Sequence, residues 1–452
     1  MTNSEDIPLV VLSHGLWGVK GHMEFIEKKL IDKYQDKIHV ASNQLNSSVN
    51  EAKYSYDGVD ICGERLAEDI ESTVVRLGKN GKQVKKISLI GYSLGGLIVR
   101  YAIGHLGQKG FFNTIEPACF VTFATPHMGV RLPTSNAFSI MFNFVSGRLV
   151  SRSGEQLQLL DKYDKAQNKP MLEILSDPDQ AYFKYLSKFK TRRTYANIAN
   201  DRTVGYWTAG LELRDYFFDS KGKIDFTLDE TYSSIITSFE QRLPNAPKSN
   251  KVGDLDANGK KKKKPLKPII LKYTFYCLLP ILGPIFYILA LSFIGFQGLV
   301  SRYRTSQIMD KKKSLITNNN STSEETLGRR SSEADRYVNG ELLAGALDAV
   351  NLPGEQDSPP KKQSTSDLLN VKTYYYNVEP SKLLDESSKP LPFIDTTKRI
   401  HRNLRLLEWE RVWVYIRAFN AHGSIVCRQK RFTTDSGIAT IQLFLDTTQL
   451  DL

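Results

Sequence analysis

The chain has 452 residues, a formal net charge of +12 and only four cysteines. That length supports one large domain of about 250–300 residues with appendages. The scattered Cys62, Cys119, Cys277 and Cys427 exclude a disulfide framework or a thiolate metal site and suit a reducing compartment. The polar, acidic start Met1–Asp6 does not read as a signal peptide. The basic residues gather around one apolar segment, which points to a membrane surface as partner and not to nucleic acid, for which no motif is present.

In chain order, Pro8–Ser13 is an apolar run that predicts a strand opening into His14-Gly15-Leu16-Trp17-Gly18. Helical spacing follows over Glu64–Leu77, then a second short strand over Lys86–Ile90. This strand runs into Gly91-Tyr92-Ser93-Leu94-Gly95-Gly96, after which Leu97–Ile103 continues at helical spacing. A G-x-S-x-G sequence between a strand and a helix is the context of a nucleophile elbow, so Ser93 is the candidate nucleophile. Cys119–Phe123 predicts the next strand and ends at Ala124-Thr125-Pro126-His127. Strands alternating with helices predict an α/β fold, a mostly parallel sheet covered on both faces.

Residues 131–190 break this alternation. Their apolar patch Phe138–Val145 reads either as a cap over the site or as a core helix. Arg193–Ala199 resumes as a strand and opens into Asn200-Asp201-Arg202. From about 245 the chain changes character: lysines 260–264, an uncharged stretch of about 28 residues from Tyr273 to Val300, then Arg302, Arg304 and Lys311–Lys313. Residues 305–385 are rich in Ser, Asn, Thr and Lys and read as disordered linker. Order is expected again near Leu391, with a helix around Ile400–Leu407 and a strand over Val412–Phe419 that ends at Ala421-His422-Gly423.

Serine needs a base within hydrogen-bond reach and a group that orients the base. In α/β-hydrolases these follow in the order Ser, Asp or Glu, His. Only His401 and His422 lie beyond Asp201. His401 sits among cations in Lys398-Arg399-Ile400-His401-Arg402 and reads as a solvated surface residue; His422 follows a predicted strand and is the expected base. Asp201 is the expected orienting carboxylate; its rivals Asp177 and Asp179 flank Pro178 in a turn-like stretch. The oxyanion donors are expected to be the amides of Leu94, the residue after the nucleophile, and Leu16, in the loop after the first strand. His14 precedes Ser93 in the chain, and it and His127 are expected to be structural. No metal or organic cofactor is required by this chemistry.

The blocks Ser13–Gly18, Gly91–Gly96, Thr125–Gly129, Asn200–Val204 and Ala421–Val426, in this order, resemble the fungal putative serine-esterase family. The resemblance is nearer to the family's lipid-droplet phospholipase than to its monoacylglycerol lipase, and it covers about residues 5–240 and 390–430. It implies an α/β-hydrolase with Ser93, Asp201 and His422 as triad, glycerophospholipid as substrate, and a lipid droplet or the cytosolic face of the endoplasmic reticulum membrane as location. Tyr92 departs from the histidine that many lipases carry before the nucleophile. A neutral-glyceride lipase and a non-catalytic membrane tether on the same fold are the alternatives.

Tyr273–Val300 is longer than the ~20 residues of one span and shorter than two. Pro280 and Pro284 break it into two arms of roughly 18–20 Å each, too short for a ~30 Å hydrocarbon core. Both flanks are basic, which keeps them on one side. Asp201 precedes the segment and His422 follows it, so a single crossing would part them. The expected solution is a hairpin in one leaflet. The organisation expected is therefore a hydrolase core over 1–245 with a cap at about 131–190, a membrane hairpin over 246–304, a disordered linker over 305–385, and the rest of the core over 386–452.

Overall fold

The computed structural model describes residues 5–35, 38–41, 50–133, 139–140, 143, 147, 151–214, 224–241, 292, 295–310, 391–418, 420–448 and 450. Its strands are β1 (Glu5–Ser13), β2 (His39–Ala41), β3 (Lys82–Tyr92), β4 (Glu116–Phe123), β5 (Thr191–Asn197), β6 (Ile224–Leu228), β7 (Ile236–Gln241) and β8 (Glu410–Val414). Its helices are α1 (Glu24–Tyr34), α2 (Val59–Lys79), α3 (Leu94–Gln108), α4 (Arg152–Leu157), α5 (Met171–Ser176), α6 (Ala181–Leu186) and α7 (Tyr206–Ala209), then α8 (295–310), α9 (Asp395–Leu404), α10 (Ala421–Ser424) and α11 (Asp435–Thr447).

Six strands form one parallel sheet in the order β2-β1-β3-β4-β5-β8. Successive side chains on a strand point to opposite faces, and β1 shows it directly. Leu9 and Val11 join the core under α2 and α3, whereas Val10 and Leu12 join the one under α1 and α11. Both faces are thus covered, which is why the central strands read as unbroken apolar runs. The β6–β7 hairpin leans on β8, where the Tyr415 N–H donates to the Ser234 carbonyl at 2.7 Å.

The C-terminal block completes the sheet across the long insertion. Arg193 pairs with Glu410 and Tyr195 with Val412 in register, so β8 lies beside β5. The topology has a direct consequence for chemistry, because all six strands are parallel and deliver their following loops to one edge. The loops after β1, β3, β5 and β8 therefore meet there.

The structure departs from the expected organisation in three places. Residues 157–189 are core and not cap: Leu157, Met171, Leu172, Leu175, Tyr182, Leu186 and Phe189 are buried with α2 and α3, and Tyr182 packs on Tyr101 with ring centroids 5.0 Å apart. Most of the patch 138–145 lies outside the described residues. No helix among the described residues is long and apolar enough to cross a membrane, and the membrane hairpin gains no support. The body of Tyr273–Val300 lies outside the described residues, as do residues 311–385 of the expected linker. The described end of the apolar segment is the start of α8, a helix that crosses the expected boundary at 304 without a break.

Candidate functional site

Ser93 stands between β3 and α3 with φ 54° and ψ −128°, a backbone conformation that L-residues rarely adopt. The turn is pinned from both sides. The Ser93 N–H donates to the Phe123 carbonyl at the end of β4 at 2.9 Å. Gly95 lies against the end of β1, where an added Cβ would come within 2.2 Å of the Ser13 carbonyl oxygen. A side chain there would push the elbow off the sheet, so the motif's glycine is a packing requirement.

His422 reaches the serine from the other end of the chain. Its Nε2 lies 3.0 Å from Ser93 Oγ and its Nδ1 lies 2.9 Å from Asp201 Oδ2. The Asp201 side chain is buried, and its second oxygen accepts the amides of Thr203 at 2.9 Å and Val204 at 2.8 Å. These bonds fix which oxygen faces the imidazole. With a carboxylate on Nδ1, the tautomer that bears its proton there leaves Nε2 free to accept from the serine hydroxyl.

The loops that carry the two residues are tied to each other. Asn200 donates from its amide to the Arg417 carbonyl at 2.9 Å, and the Ile416 N–H donates to Asn197 Oδ1 at 2.9 Å. Asn420 caps the turn of His422 by accepting the Gly423 amide at 3.0 Å. Tyr92 also holds this loop: its hydroxyl donates to the His422 carbonyl at 2.9 Å, and its ring lies 5.1 Å from the imidazole, centroid to centroid. In the sequence Tyr92 stands out only as a departure from the histidine of many lipases, and this role is not evident there. The signal available was a large buried phenol whose hydroxyl would need a partner.

The loop after β1 lies over the serine. A Cβ on Gly15 would meet Ser93 Cβ at 2.7 Å, so Leu16 follows directly from the point of contact. A turn closes from the Gly18 N–H to the Gly15 carbonyl at 3.0 Å, which leaves the Leu16 amide within the turn. Leu94 opens α3, and no helical carbonyl can reach a first-residue N–H. These are the two amides that the sequence names as expected oxyanion donors.

The remaining candidates fall elsewhere. Asp177 bonds Lys169 at 3.0 Å and accepts the Asp179 amide at 3.1 Å, a turn-and-ion-pair role. His401 is half-buried and not solvated as expected; its ring bonds the Leu211 backbone, and burial, with Arg405 adding, pushes its pKa down to about 4. His14 bonds the Gly15 carbonyl through Nδ1 at 3.0 Å, and His127 meets Thr122 Oγ1 through Nε2 at 3.0 Å. Among the described residues no cluster of three or more metal-ligating side chains occurs.

Burial holds the pKa of His14 below its ordinary value and that of His22 and His127 well below it. Each therefore binds a proton less readily folded than unfolded. Between the folded value and about 6.5 the unfolded chain holds more protons, so stability rises with pH and levels off above that point. Each such group can contribute up to about 1.4 kcal/mol per pH unit. The expected result is a melting temperature that falls as pH is lowered from 7 to 5. His127→Gln should melt with a shallower dependence over that window, whatever its absolute stability.

The parallel sheet with a serine at the β3–α3 turn is the α/β-hydrolase fold. Residues 3–212 match the family described as "Putative serine esterase (DUF676)". That stretch includes Ser93 and Asp201 and ends before His422. The resemblance read from the motif blocks holds over it. The chain is 30% identical over 229 residues to "Putative lipase C4A8.10" of Schizosaccharomyces pombe, covering 49% of this chain and 28% of that protein. It is 30% identical over 213 residues to "Putative lipase ROG1" of Saccharomyces cerevisiae, covering 46% of this chain and 29% of that one. The chain thus spans less than a third of these relatives' own length. Among solved structures, Aspergillus fumigatus lipase B is similar at 12% identity and a TM-score of 0.29, over 45% of this chain and 41% of that one.

Proposed function

We propose that this chain is a lipolytic serine esterase that hydrolyses acyl ester bonds of glycerophospholipids at a membrane or lipid-droplet surface. The observation that carries the proposal is the pair of short contacts on one imidazole, 3.0 Å to Ser93 Oγ and 2.9 Å to Asp201 Oδ2. In this reading Ser93 Oγ attacks the acyl carbonyl as His422 Nε2 takes its proton. Asp201 holds the Nδ1–H and stabilises the imidazolium. The negative oxygen of the tetrahedral intermediate is met by the amides of Leu16 and Leu94, each worth roughly 3–4 kcal/mol in the transition state. His422 returns the proton to the departing glyceryl oxygen, and water then cleaves the acyl-serine by the same route.

Phospholipid as substrate rests on the motif resemblance, and the long uncharged segment Tyr273–Val300 with its basic flanks supports work at a lipid surface. The test is fatty-acid release from phospholipid vesicles and from glyceride emulsions by wild type and Asp201→Asn side by side. Asp201→Asn keeps the size of the side chain and removes its hold on the Nδ1–H, so turnover should fall by about 10⁴-fold. Release from phospholipid that drops in the variant is the expected result. Release from glycerides alone would keep the mechanism and replace the substrate, and unchanged release in Asp201→Asn would sink the proposed triad.

A further inference from the structure

Helix α8 is amphipathic in the wrong sense for a helix on a protein core. Its inward residues are small or polar: Gly298, Ser301 and Thr305 are buried and Arg304 is half-buried. Its outward residues include Phe296, Leu299 and Tyr303, exposed by 62%, 68% and 69%, with Val300 beside them. Surface helices normally bury the apolar stripe and solvate the polar one. The spacing i, i+3, i+7 sets Phe296, Leu299 and Tyr303 in a single row. Further along that row stand Ser306 and Asp310, both exposed. The apolar part is thus the N-terminal half, the half that continues directly from the uncharged stretch beginning at Tyr273.

The polar side of α8 is clasped by one buried carboxylate. Ser301 Oγ donates to Asp57 Oδ1 at 2.7 Å, and Arg304 Nε donates to Asp57 Oδ2 at 3.0 Å. Arg304 also reaches the Lys53 carbonyl at 3.1 Å and stacks over the Tyr54 ring at 4.7 Å. Arg65 also pairs with Asp57, at 2.8 Å. The short 3-10 turn Ala52–Tyr56 that leads into Asp57 also grips the loop over Ser93. The Ala52 N–H donates to the Gly18 carbonyl at 2.9 Å, and the Trp17 N–H donates to Ser55 Oγ at 2.9 Å. One segment therefore holds α8 on one side and the Gly15–Gly18 loop on the other.

We propose that α8 is a docking helix for a phospholipid surface. Phe296, Leu299 and Val300 enter the boundary between headgroups and acyl chains, Tyr303 sits at headgroup level, and the C-terminal half emerges into water. The order of polarity along the outward row is what a helix leaving a lipid layer requires, with an aromatic residue at the interface. Arg302 on α8 and Lys311–Lys313 directly after it supply the positive charge that an anionic leaflet attracts. A protein partner would match the apolar row as well, but not this continuity with a long uncharged segment. The Asp57 clasp then fixes the Ser93 loop at a constant position relative to the lipid. This deepens the lipolytic reading above and rests on it for its purpose, not for its geometry.

The test uses the full chain with Ser93→Ala, so that vesicles stay intact and no result depends on turnover. An environment-sensitive fluorescent amino acid is placed in turn at 299, 303 and 307, and vesicles of phosphatidylcholine with one-fifth phosphatidylserine are added. Blue-shifted emission and quenching by spin-labelled lipid are expected at 299 and 303 and absent at 307. The triple variant Phe296→Ser, Leu299→Ser, Tyr303→Ser should partition onto the vesicles about 10-fold less or lower still, with an unchanged melting temperature. A probe at 299 that is blue before vesicles are added would show the row covered by another part of the chain or a second copy, and would overturn the proposal. So would water-exposed probes at 299 and 303 on vesicle-bound protein, or a triple variant that melts several degrees lower. Failure of the esterase reading would appear separately, as wild-type protein without Ser93-dependent release, and would leave these binding results standing.

Discussion

Ser93→Ala should reduce ester hydrolysis by about 10⁴- to 10⁶-fold, the range expected when a nucleophile that works as a unit with its base is removed. The fold should survive the change. Among the described residues, Ser93 Oγ bonds His422 Nε2, and losing a single hydrogen bond costs about 1 kcal/mol. Alanine has the same Cβ in the same unfavourable backbone position, so the strain at φ 54° is unaltered. Ser93→Gly separates the two effects. It should be equally inactive, yet release roughly 1–3 kcal/mol of backbone strain and melt above Ser93→Ala. Activity assays and thermal melts on both variants check this. Substantial hydrolysis by either variant would remove Ser93 as nucleophile, and a Ser93→Gly protein that melts lower would show that the elbow is held without strain.

What was legible in the sequence follows from where its physics is local. The elbow is written in six consecutive residues because a tight strand-to-helix turn needs its small residues adjacent, as the 2.2 Å approach of Gly95 to β1 requires. The expectation that Asp201 and His422 meet Ser93 came from residue order and strand ends, and the parallel sheet explains why that works: loops at one edge converge however long the chain between them. Helix α1 was legible too, with Ile26 and Leu30 at i, i+4, but passed unread. The misplaced cap shows the opposite case. Residues 152–189 include three short helices whose burial depends on a neighbour, α3, already covered on its other side, and no period within six residues reveals that. The Tyr92 bond to the His422 carbonyl and the Asp57 clasp on Arg304 join residues 330 and 247 positions apart, so nothing local announces either.

Arg193→Ala should loosen the C-terminal block from the rest of the sheet. Arg193 lies in β5 with its side chain only 2% exposed, and its partners include residues from the far end of the chain and Tyr195 of its own strand. Nε pairs with Glu410 on β8 at 2.7 Å; Nη1 donates to Thr447 Oγ1 at 2.8 Å and to Thr448 Oγ1 at 2.7 Å, where α11 ends. Removing one partner of a buried ion pair costs about 3–5 kcal/mol, and the partial exposure of Glu410 puts this site near the lower figure. A loss of about 3 kcal/mol that falls mainly on β8 and α11 would speed amide exchange there by roughly 100-fold, with the β1 and β3 amides little changed. Hydrolysis should fall with it, because β8 ends at Val414 and leads straight to His422, so fraying of the edge strand moves the base away from Ser93. Arg193→Lys should not restore the wild-type pattern, since one ammonium cannot serve Glu410 and both threonines in the geometry of the guanidinium fork. Exchange that accelerates evenly across all six strands would mean the sheet opens as one unit, and the C-terminal block would then owe its place to the whole core and not to Arg193.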